Sequence, residues 1–298
     1  MEIGMNNTTN LKKTRDVITI LVIIITAICC VVPLITKNEI AQTSMISAFG
    51  EEITFYGRGI YARNSFSGAT QAVAQDIVTL ILAIPAMIAA LWLVKQGNIL
   101  AQFVLTGLLA YTLYTYMSYA FMMYYNSLFL LYVADMTLSF YGFVISIRLL
   151  MHNDLTDRLQ EGMKTKGLRI FLCVTGVIIA FMWSGRILPT IGTDKAPVGL
   201  DNYSTLVIQV LDLGVIVPAC FVISHLLKSK SKLGFVLGPV IIIKAVMLVV
   251  AVLAMAVYMS LSGINVEPVE YLAFGSICIF ACGFLVRILK QIQKEIMR

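Results

Sequence analysis

Apolar runs of about 20 residues recur along the whole 298-residue chain, and short polar or basic segments separate them. A bilayer core about 30 Å thick needs about 20 apolar residues to cross it as a helix, because every backbone polar group must be bonded internally there. The pattern therefore predicts an all-α integral membrane protein. Eight spans are predicted, at residues 17–35, 72–94, 99–121, 124–150, 170–191, 205–227, 234–261 and 269–288.

The composition agrees with a single membrane-embedded domain over residues 1–298. Hydrophobic residues make up 59% of the chain and charged residues only 13%, whereas soluble domains carry about 25% charged residues. No connection is long enough for a separate soluble domain. The longest external segment, 36–71, is either a lid over the membrane face or a plain surface loop, and a polar linker, 152–169, separates two groups of four helices.

The distribution of Lys and Arg predicts the orientation, because cytoplasmic loops carry an excess of both. With the N-terminus inside, sixteen basic residues fall on the cytoplasmic side and four outside, namely Lys37, Arg58, Arg63 and Lys195. Both termini are therefore expected in the cytoplasm. The net charge of +6 is explained by these helix ends, so no nucleic-acid partner is expected.

Five charged residues interrupt the apolar spans, although a charge at mid-helix costs about 2.5–3.5 kcal/mol on insertion scales. They are Asp76, Asp135, Arg186, Asp212 and Lys244. Residues of this kind are functional-site candidates by default. The predicted orientation puts the acidic ones in the outer half or middle of their helices.

Polar residues also share faces on four of the predicted helices, at about 100° per residue. Polar stripes are unfavourable against lipid, so they should face each other. We predict an outward-facing polar cavity with Asp135 at its floor. Its candidate ligand- or ion-binding residues are Gln75 and Asp76 on the second helix, Tyr111, Thr115 and Tyr119 on the third, Tyr132 and Asp135 on the fourth, Arg186 on the fifth, Gln209 and Asp212 on the sixth, and Lys244 on the seventh.

Structural explanations for the same residues stay open. Tyrosines near helix ends are often an interface belt, which fits Tyr124 and Tyr125 better than Tyr111. Lys244 paired with an aspartate is equally well explained as an ion pair between helices. Arg186 lies near the surface and can extend to lipid headgroups.

Enzyme signatures are mostly missing. The chain has two histidines, His152 and His225, which lie far apart in sequence and near the cytoplasmic side. That count disfavours a His-rich zinc site or paired haem ligands, and no nucleotide-binding or hydrolase motif occurs. We therefore expect no catalytic residues, no metal site and no cofactor.

The second helices of the two groups share a pattern. Gln75 and Asp76 precede Pro85, and Gln209 and Asp212 precede Pro218. Such a likeness suggests a 4+4 parallel repeat, related by an axis along the membrane normal.

Two segments carry a resemblance. The run YNSLF at 125–129 with YVA at 132–134, and VLDL at 210–213 with PA at 218–219, are similar to segments of a group of uncharacterised bacterial multi-pass membrane proteins. The likeness covers roughly residues 57–261. It implies a bacterial membrane protein with no assigned activity, and it transfers no site residues. We expect the membrane to be the cytoplasmic membrane.

The leading functional hypothesis is a small-solute or ion transporter, or the binding subunit of one. In it the aspartates attract a cation or exchange a proton, and the substrate is a small molecule or ion. A membrane-embedded enzyme acting on a lipid or isoprenoid is the second hypothesis. A non-catalytic sensor or assembly partner is the third, and the sequence leaves protein partners and oligomeric state open.

Overall fold

The computed structural model describes residues 2–297, with side chains for residues 8–268, 271–272 and 274–297. Eleven helices and one two-stranded sheet are found within this range. The helices are α1 Glu2–Ile35, α2 Phe66–Val78, α3 Ile84–Lys95, α4 Ile99–Met122, α5 Phe129–Met151, α6 Asp154–Gly162, α7 Lys166–Ile187, α8 Val207–Leu211, α9 Val217–Lys228, α10 Lys232–Leu261 and α11 Pro268–Ile296, and the strands are β1 Ser44–Ile46 and β2 Glu52–Thr54.

Eight helical stretches in the described chain are long and apolar enough to cross a membrane, which confirms the predicted all-α, eight-span architecture. They are Thr8–Ile35, Phe66–Lys95, Ile99–Met122, Phe129–Met151, Lys166–Thr190, Val207–Lys228, Lys232–Leu261 and Phe274–Ile296. Large apolar side chains such as Leu130, Phe181 and Ile279 are 75% exposed. Exposed apolar side chains on helices of this length are suited to contact with lipid.

Several helix boundaries differ from the prediction, and local hydrogen bonds explain two of them. The second span begins at Phe66, because the Ser65 hydroxyl accepts from the Gly68 amide at 3.0 Å and caps the helix. Residues 66–71 are too polar to be recognised from hydropathy as part of a membrane span. The fourth span begins later than predicted, at Phe129, because the Asn126 side chain accepts from the Leu128 amide at 2.9 Å and holds a turn there.

The segment before α2, residues 36–65, is an ordered structure that we call the hairpin segment. Its strands β1 and β2 pair antiparallel, with Met45 opposite Ile53. It folds back on the end of α1 at Gly59, whose φ of 64° and position against the Thr36 carbonyl leave no room for a side chain. We call the end of the helix bundle that carries this segment the hairpin end.

The polar linker between the two groups of helices forms the short helix α6. Leu155 and Leu159 on α6 are buried in the core at the other end of the bundle. Asp157 pairs with Lys232 at the start of α10, with 2.7 Å between Oδ1 and Nζ. The linker is therefore packed onto the second group of helices and is not a free loop.

Helix α10 is the centre of the bundle, where it packs along both α2 and α4. Helices α4 and α10 approach each other closely at Gly107. A Cβ built on Gly107 would lie 2.5 Å from Ile243 Cβ and 3.2 Å from the Val240 carbonyl oxygen. Small residues allow such close contacts between membrane helices.

Two of the eight spans contain one widened turn each. A π turn at Thr79–Ala83 joins α2 to α3, and another at Asp212–Ile216 joins α8 to α9. A proline, Pro85 or Pro218, follows each turn at the second residue of the next helix. Single π turns inside α-helices occur frequently at functional sites.

The elements around the two π turns occur in the same order and at the same spacing. Pro218 lies 133 positions after Pro85 (218 minus 85), and α10 begins 133 positions after α4 (232 minus 99). Helices α3 and α9 are both 12 residues long. Each of these helices is followed by a residue with positive φ, and the two residues are also 133 positions apart. They are Gly97, with a φ of 86°, and Lys230, with a φ of 54°.

Candidate functional site

The most polar part of the membrane interior lies between the hairpin segment, α2 and α4. We call it the Asp76 cluster, and it comprises Tyr61, Gln75, Asp76, Thr79, Tyr111, Thr115 and Tyr119. All seven side chains are buried, and the most exposed of them are only 4% exposed. Sequence periodicity placed Gln75 and Asp76 on one face of α2 and Tyr111, Thr115 and Tyr119 on one face of α4, and the structure brings these two faces together.

The Asp76 carboxylate is held by two tyrosine hydroxyls. Tyr61 donates to Oδ2 at 2.7 Å and Tyr119 donates to Oδ1 at 3.0 Å. Among the described residues no Lys, Arg or His lies within 4.0 Å of Asp76. A buried acid is therefore bound by neutral donors and has no cationic partner.

Tyr61 reaches Asp76 from outside the helices and closes the cluster at the hairpin end. It lies in a turn of the hairpin segment and is 1% exposed. Burial, and then the nearby Asp76 carboxyl, raise the pKa of the Tyr61 hydroxyl well above its usual range. The hydroxyl therefore stays protonated and acts as a donor to Asp76.

Gln75 links α2 to α4 one residue before Asp76. Its Nε2 donates to the Tyr111 hydroxyl at 2.7 Å and to Thr115 Oγ1 at 3.0 Å. The Tyr111 hydroxyl also lies 2.8 Å from Thr79 Oγ1, at the start of the π turn. The Gln75 Oε1 atom is buried and has no hydrogen-bond partner among the described residues.

Tyr132 of α5 packs against this cluster. Its ring lies edge-on to that of Tyr119, with 5.5 Å between centroids. The Tyr132 hydroxyl is also buried without a partner in the described chain. A buried polar atom without a partner costs about 1–3 kcal/mol, so the region has capacity to bind a further polar group.

Asp135 lies elsewhere, in the contact between α1 and α5. Thr26 donates to its Oδ2 at 2.7 Å, and Ser139 donates to its Oδ1 at 3.2 Å. It is 0% exposed. The sequence placed Asp135 at the floor of a common cavity, whereas the structure gives it separate hydrogen-bond partners on α1 and α5.

Asp212 and Lys244 form a second polar centre, in which Tyr114 contacts both. The Tyr114 hydroxyl donates to Asp212 Oδ1 at 2.7 Å, and the Lys244 ammonium lies 3.9 Å from the Tyr114 ring centroid. Trp183 Nε1 donates to Asp212 Oδ2 at 2.8 Å. No ion pair within 4.0 Å joins Lys244 to Asp212 or to Asp135 in the described chain, so the direct pairing considered from the sequence is not formed.

We predict that Lys244→Met changes the free energy of unfolding by no more than about 1 kcal/mol. A buried unpaired ammonium costs about 2.5–3.5 kcal/mol on insertion scales, and a desolvated cation–π contact returns about 2 kcal/mol. Thermal unfolding of the detergent-solubilised protein measures the difference. A loss above about 3 kcal/mol would mean that Asp212 depends on the ammonium, and Leu248→Met provides a neutral control on the same helix.

The remaining predicted residues lie at the hairpin end. Arg186 is exposed, with its guanidinium 5.4 Å from the Trp183 ring centroid. Gln209 is 7% exposed and lines a cleft of about 640 Å³. Tyr124 and Tyr125 are 39% and 79% exposed, as expected of an aromatic belt. None of the three aspartates lines that cleft, and Asp76 is 1% exposed, so the cleft does not open onto Asp76 in this structure.

Sequence reasoning missed three residues of these sites. Tyr61 lies in the external segment 36–71, and no periodicity reveals that it reaches Asp76. Trp183 and Tyr114 were not candidates, because their polar atoms lie at the ends of largely apolar rings. The only signal in the sequence was that Trp183 lies close to the candidate Arg186 and Tyr114 lies close to the candidate Tyr111.

Metal binding has no support from the arrangement of side chains. Across the residues that the structure describes, no three His, Cys, Asp or Glu side chains lie together as metal ligands would. The six cysteines are all free. The Asp76 cluster offers a carboxyl group, hydroxyls and one amide for hydrogen bonding, and the second polar centre adds the Lys244 ammonium and the Trp183 indole N–H.

Comparisons with known proteins find no relative for this chain. No family model, no curated protein and no solved structure matches it.

Proposed function

We propose that this multi-pass membrane protein transports a small solute or ion and that Asp76 is its central binding residue. The Asp76 carboxyl would bind a cation or exchange a proton. Gln75, Tyr111, Thr115, Tyr119 and Tyr132 would supply the neutral hydrogen bonds around it. Asp212 and Lys244 would form a second polar centre, which changes its pairing as the helices move.

The observation that carries the proposal is the buried Asp76 carboxyl without a cationic partner. Structural acids inside membranes usually pair with a base or a backbone group. Asp76 instead has two phenol donors, and Gln75 Oε1 and the Tyr132 hydroxyl nearby lack partners. Such unsatisfied capacity is useful to a protein that binds a polar ligand transiently.

The hairpin segment supports a transport cycle with an occluded state. One of the two groups bound to Asp76, Tyr61, belongs to this segment. Withdrawal of Tyr61 would open Asp76 toward the hairpin end, which the distribution of Lys and Arg predicts to be the outside. The π turn and Pro85 directly below Asp76 provide a point where α2 can move relative to α3.

The other two hypotheses have less support. An enzyme acting on a lipid needs an acid or base, and usually a phosphate clamp, beside a lipid-accessible groove. The lining of the 640 Å³ cleft includes no acid or base that could exchange a proton with a bound lipid. A purely structural role leaves two buried atoms without hydrogen-bond partners unexplained, Gln75 Oε1 in the Asp76 cluster and the Tyr132 hydroxyl beside it.

The experiment is a flux assay on the purified protein in liposomes. Liposomes containing a pH-sensitive dye are given a membrane potential and then panels of amino acids, sugars, nucleosides, inorganic cations and organic cations. A solute-dependent change in internal pH, or uptake of a radioactive cation, is expected above protein-free liposomes. Equal rates with and without protein across the whole panel would contradict transport and favour a sensor or assembly role.

We predict that Tyr61→Phe increases the access of reagents to Asp76. The change removes one hydrogen bond to a carboxyl group, which is worth about 1.5–3 kcal/mol, and retains the ring. Labelling of Asp76 by N,N′-dicyclohexylcarbodiimide, which modifies carboxyls in apolar surroundings, should rise severalfold as measured by peptide mass spectrometry.

Tyr56→Phe is the matched control for Tyr61→Phe. Its hydroxyl accepts from the Arg58 guanidinium at 3.1 Å and does not hydrogen-bond Asp76. Labelling in this variant should equal that of the unmodified protein. If Tyr61→Phe also leaves the labelling unchanged, the hairpin segment does not control access to Asp76.

A further inference from the structure

The cleft beside Gln209 has a polar end and an apolar end. Ser204, Thr205 and Gln209 line it at and before the start of α8, whereas Leu213 and Gly214 line it one turn deeper in the membrane. The remaining lining residues are mostly apolar, namely Phe49, Ile187, Pro197, Leu200, Leu206 and Val210. Such a gradient suits an amphipathic occupant.

The cleft opens sideways toward the bilayer. Val210 is 59% exposed, and Gly214 is also exposed on the same helix. Its volume of about 640 Å³ falls within the roughly 300–1,000 Å³ typical of ligand pockets. A lipid can therefore enter it from the membrane without crossing water.

The position of the cleft corresponds to a space that the chain itself fills in the first group of helices. Gln209 lies 133 positions after Asp76 (209 minus 76), the same spacing that separates Pro218 from Pro85. Asp76 is covered by Tyr61 of the hairpin segment. The amide of Gln209 has no hydrogen-bond partner among the described residues, although the side chain is 93% buried, and the connection before it, 191–206, is about half as long as the hairpin segment.

A cation lies beside the cleft. The Arg186 guanidinium is next to Gly199, which lies in sequence between the lining residues Pro197 and Leu200. No carboxylate lies within 4.0 Å of it in the described chain. A guanidinium with free donors is suited to bidentate binding of a phosphate.

We propose that the cleft binds an anionic phospholipid, with one acyl chain along Leu213 and Gly214 and the phosphate on Arg186. Trp183 connects this site to the second polar centre. Its ring lies under the Arg186 guanidinium, and its indole N–H donates to Asp212 at 2.8 Å. A bound lipid would thus contact Trp183, which is hydrogen-bonded to the buried Asp212. The lipid site does not depend on the proposed transport activity.

Fluorescence quenching of Trp183 by brominated lipids tests the site. The chain has two tryptophans, so Trp92→Phe leaves Trp183 as the only emitter. The protein is placed in phosphatidylcholine bilayers with increasing fractions of either brominated phosphatidylglycerol or brominated phosphatidylcholine. Half-maximal quenching is expected at an about fivefold lower fraction of the anionic lipid, the preference that one basic residue near a membrane surface provides.

Two substitutions in the Trp92→Phe protein test the binding of the headgroup and the binding of the acyl chain separately. Arg186→Gln should remove the preference for phosphatidylglycerol, whereas Arg63→Gln, at another exposed basic residue of the hairpin end, should preserve it. Gly214→Leu should fill the cleft and reduce quenching by both lipids. Gly275→Leu is its control, because a Cβ on either glycine meets no atom within 4 Å.

The outcomes decide the proposal. Equal quenching by the two lipids in the Trp92→Phe protein would show that no anionic headgroup is selected. Unchanged quenching in Gly214→Leu would show that the acyl chain does not occupy the cleft. Either result overturns the proposed lipid site, and neither affects the flux expected from Asp76.

Discussion

Asp76→Asn is expected to reduce flux in proteoliposomes to the rate of protein-free liposomes. Asparagine has nearly the size of aspartate but neither carries a negative charge nor exchanges a proton. Tyr61 and Tyr119 donate to the two carboxyl oxygens, and an amide nitrogen cannot accept one of these bonds. The free energy of unfolding should therefore fall by only about 1–3 kcal/mol, and folded protein should still be recovered.

The controls for Asp76→Asn distinguish lost chemistry from lost folding. Asp157→Asn, at the surface pair with Lys232, should keep the flux of the unmodified protein. Asp135→Asn makes the same chemical change at a buried acid that also accepts two hydroxyl bonds, so it matches the stability effect. Full flux in a folded Asp76→Asn protein would falsify the role of Asp76.

Gly107→Leu should have the largest effect on stability. The helices α4 and α10 approach so closely that a Cβ on Gly107 would lie 2.5 Å from two atoms of Ile243. Overpacking a core costs about 1–3 kcal/mol and occasionally more, and the rigid Val240 backbone limits relaxation here. We expect a loss of at least about 3 kcal/mol, measured as a lower unfolding temperature and as aggregation during gel filtration.

The matched control for Gly107→Leu is Gly275→Leu. Gly275 also lies in a membrane helix, α11, but a Cβ there meets no atom within 4 Å. Its unfolding temperature should match that of the unmodified protein. Equal stability of both variants would mean that α4 and α10 do not cross at Gly107.

The number and order of the spans could be predicted, because hydropathy alone reports which segments cross a bilayer. The helix ends could not be predicted to the residue, since polar caps such as Ser65 and turns such as that at Asn126 are set by local hydrogen bonds. The linker helix α6 was also missed, because its short apolar stripe lies in a polar segment.

For the candidate site, the sequence could predict only which residues share one face of a helix. A helical period placed Gln75 and Asp76 toward the polar side of α4, and the structure has these contacts. The same periodicity fails across the π turns, where each turn contains an extra residue. Tyr61, the partner of Asp76, and Trp183, the partner of Asp212, lie outside the periodic pattern. Their contacts depend on tertiary packing that one sequence does not reveal.

The crossing at Gly107 also bears on whether either half of the chain can exist alone. At the shift of 133 positions, Gly107 corresponds to Val240, and Ala110 corresponds to Ile243. A homodimer of first halves would place only Gly107 and Ala110 at the crossing and leave a gap. A pairing of two second halves through the same crossing would bring Ile243 against Val240 and clash, so the close contact at Gly107 requires a small residue on one helix and large residues on the other.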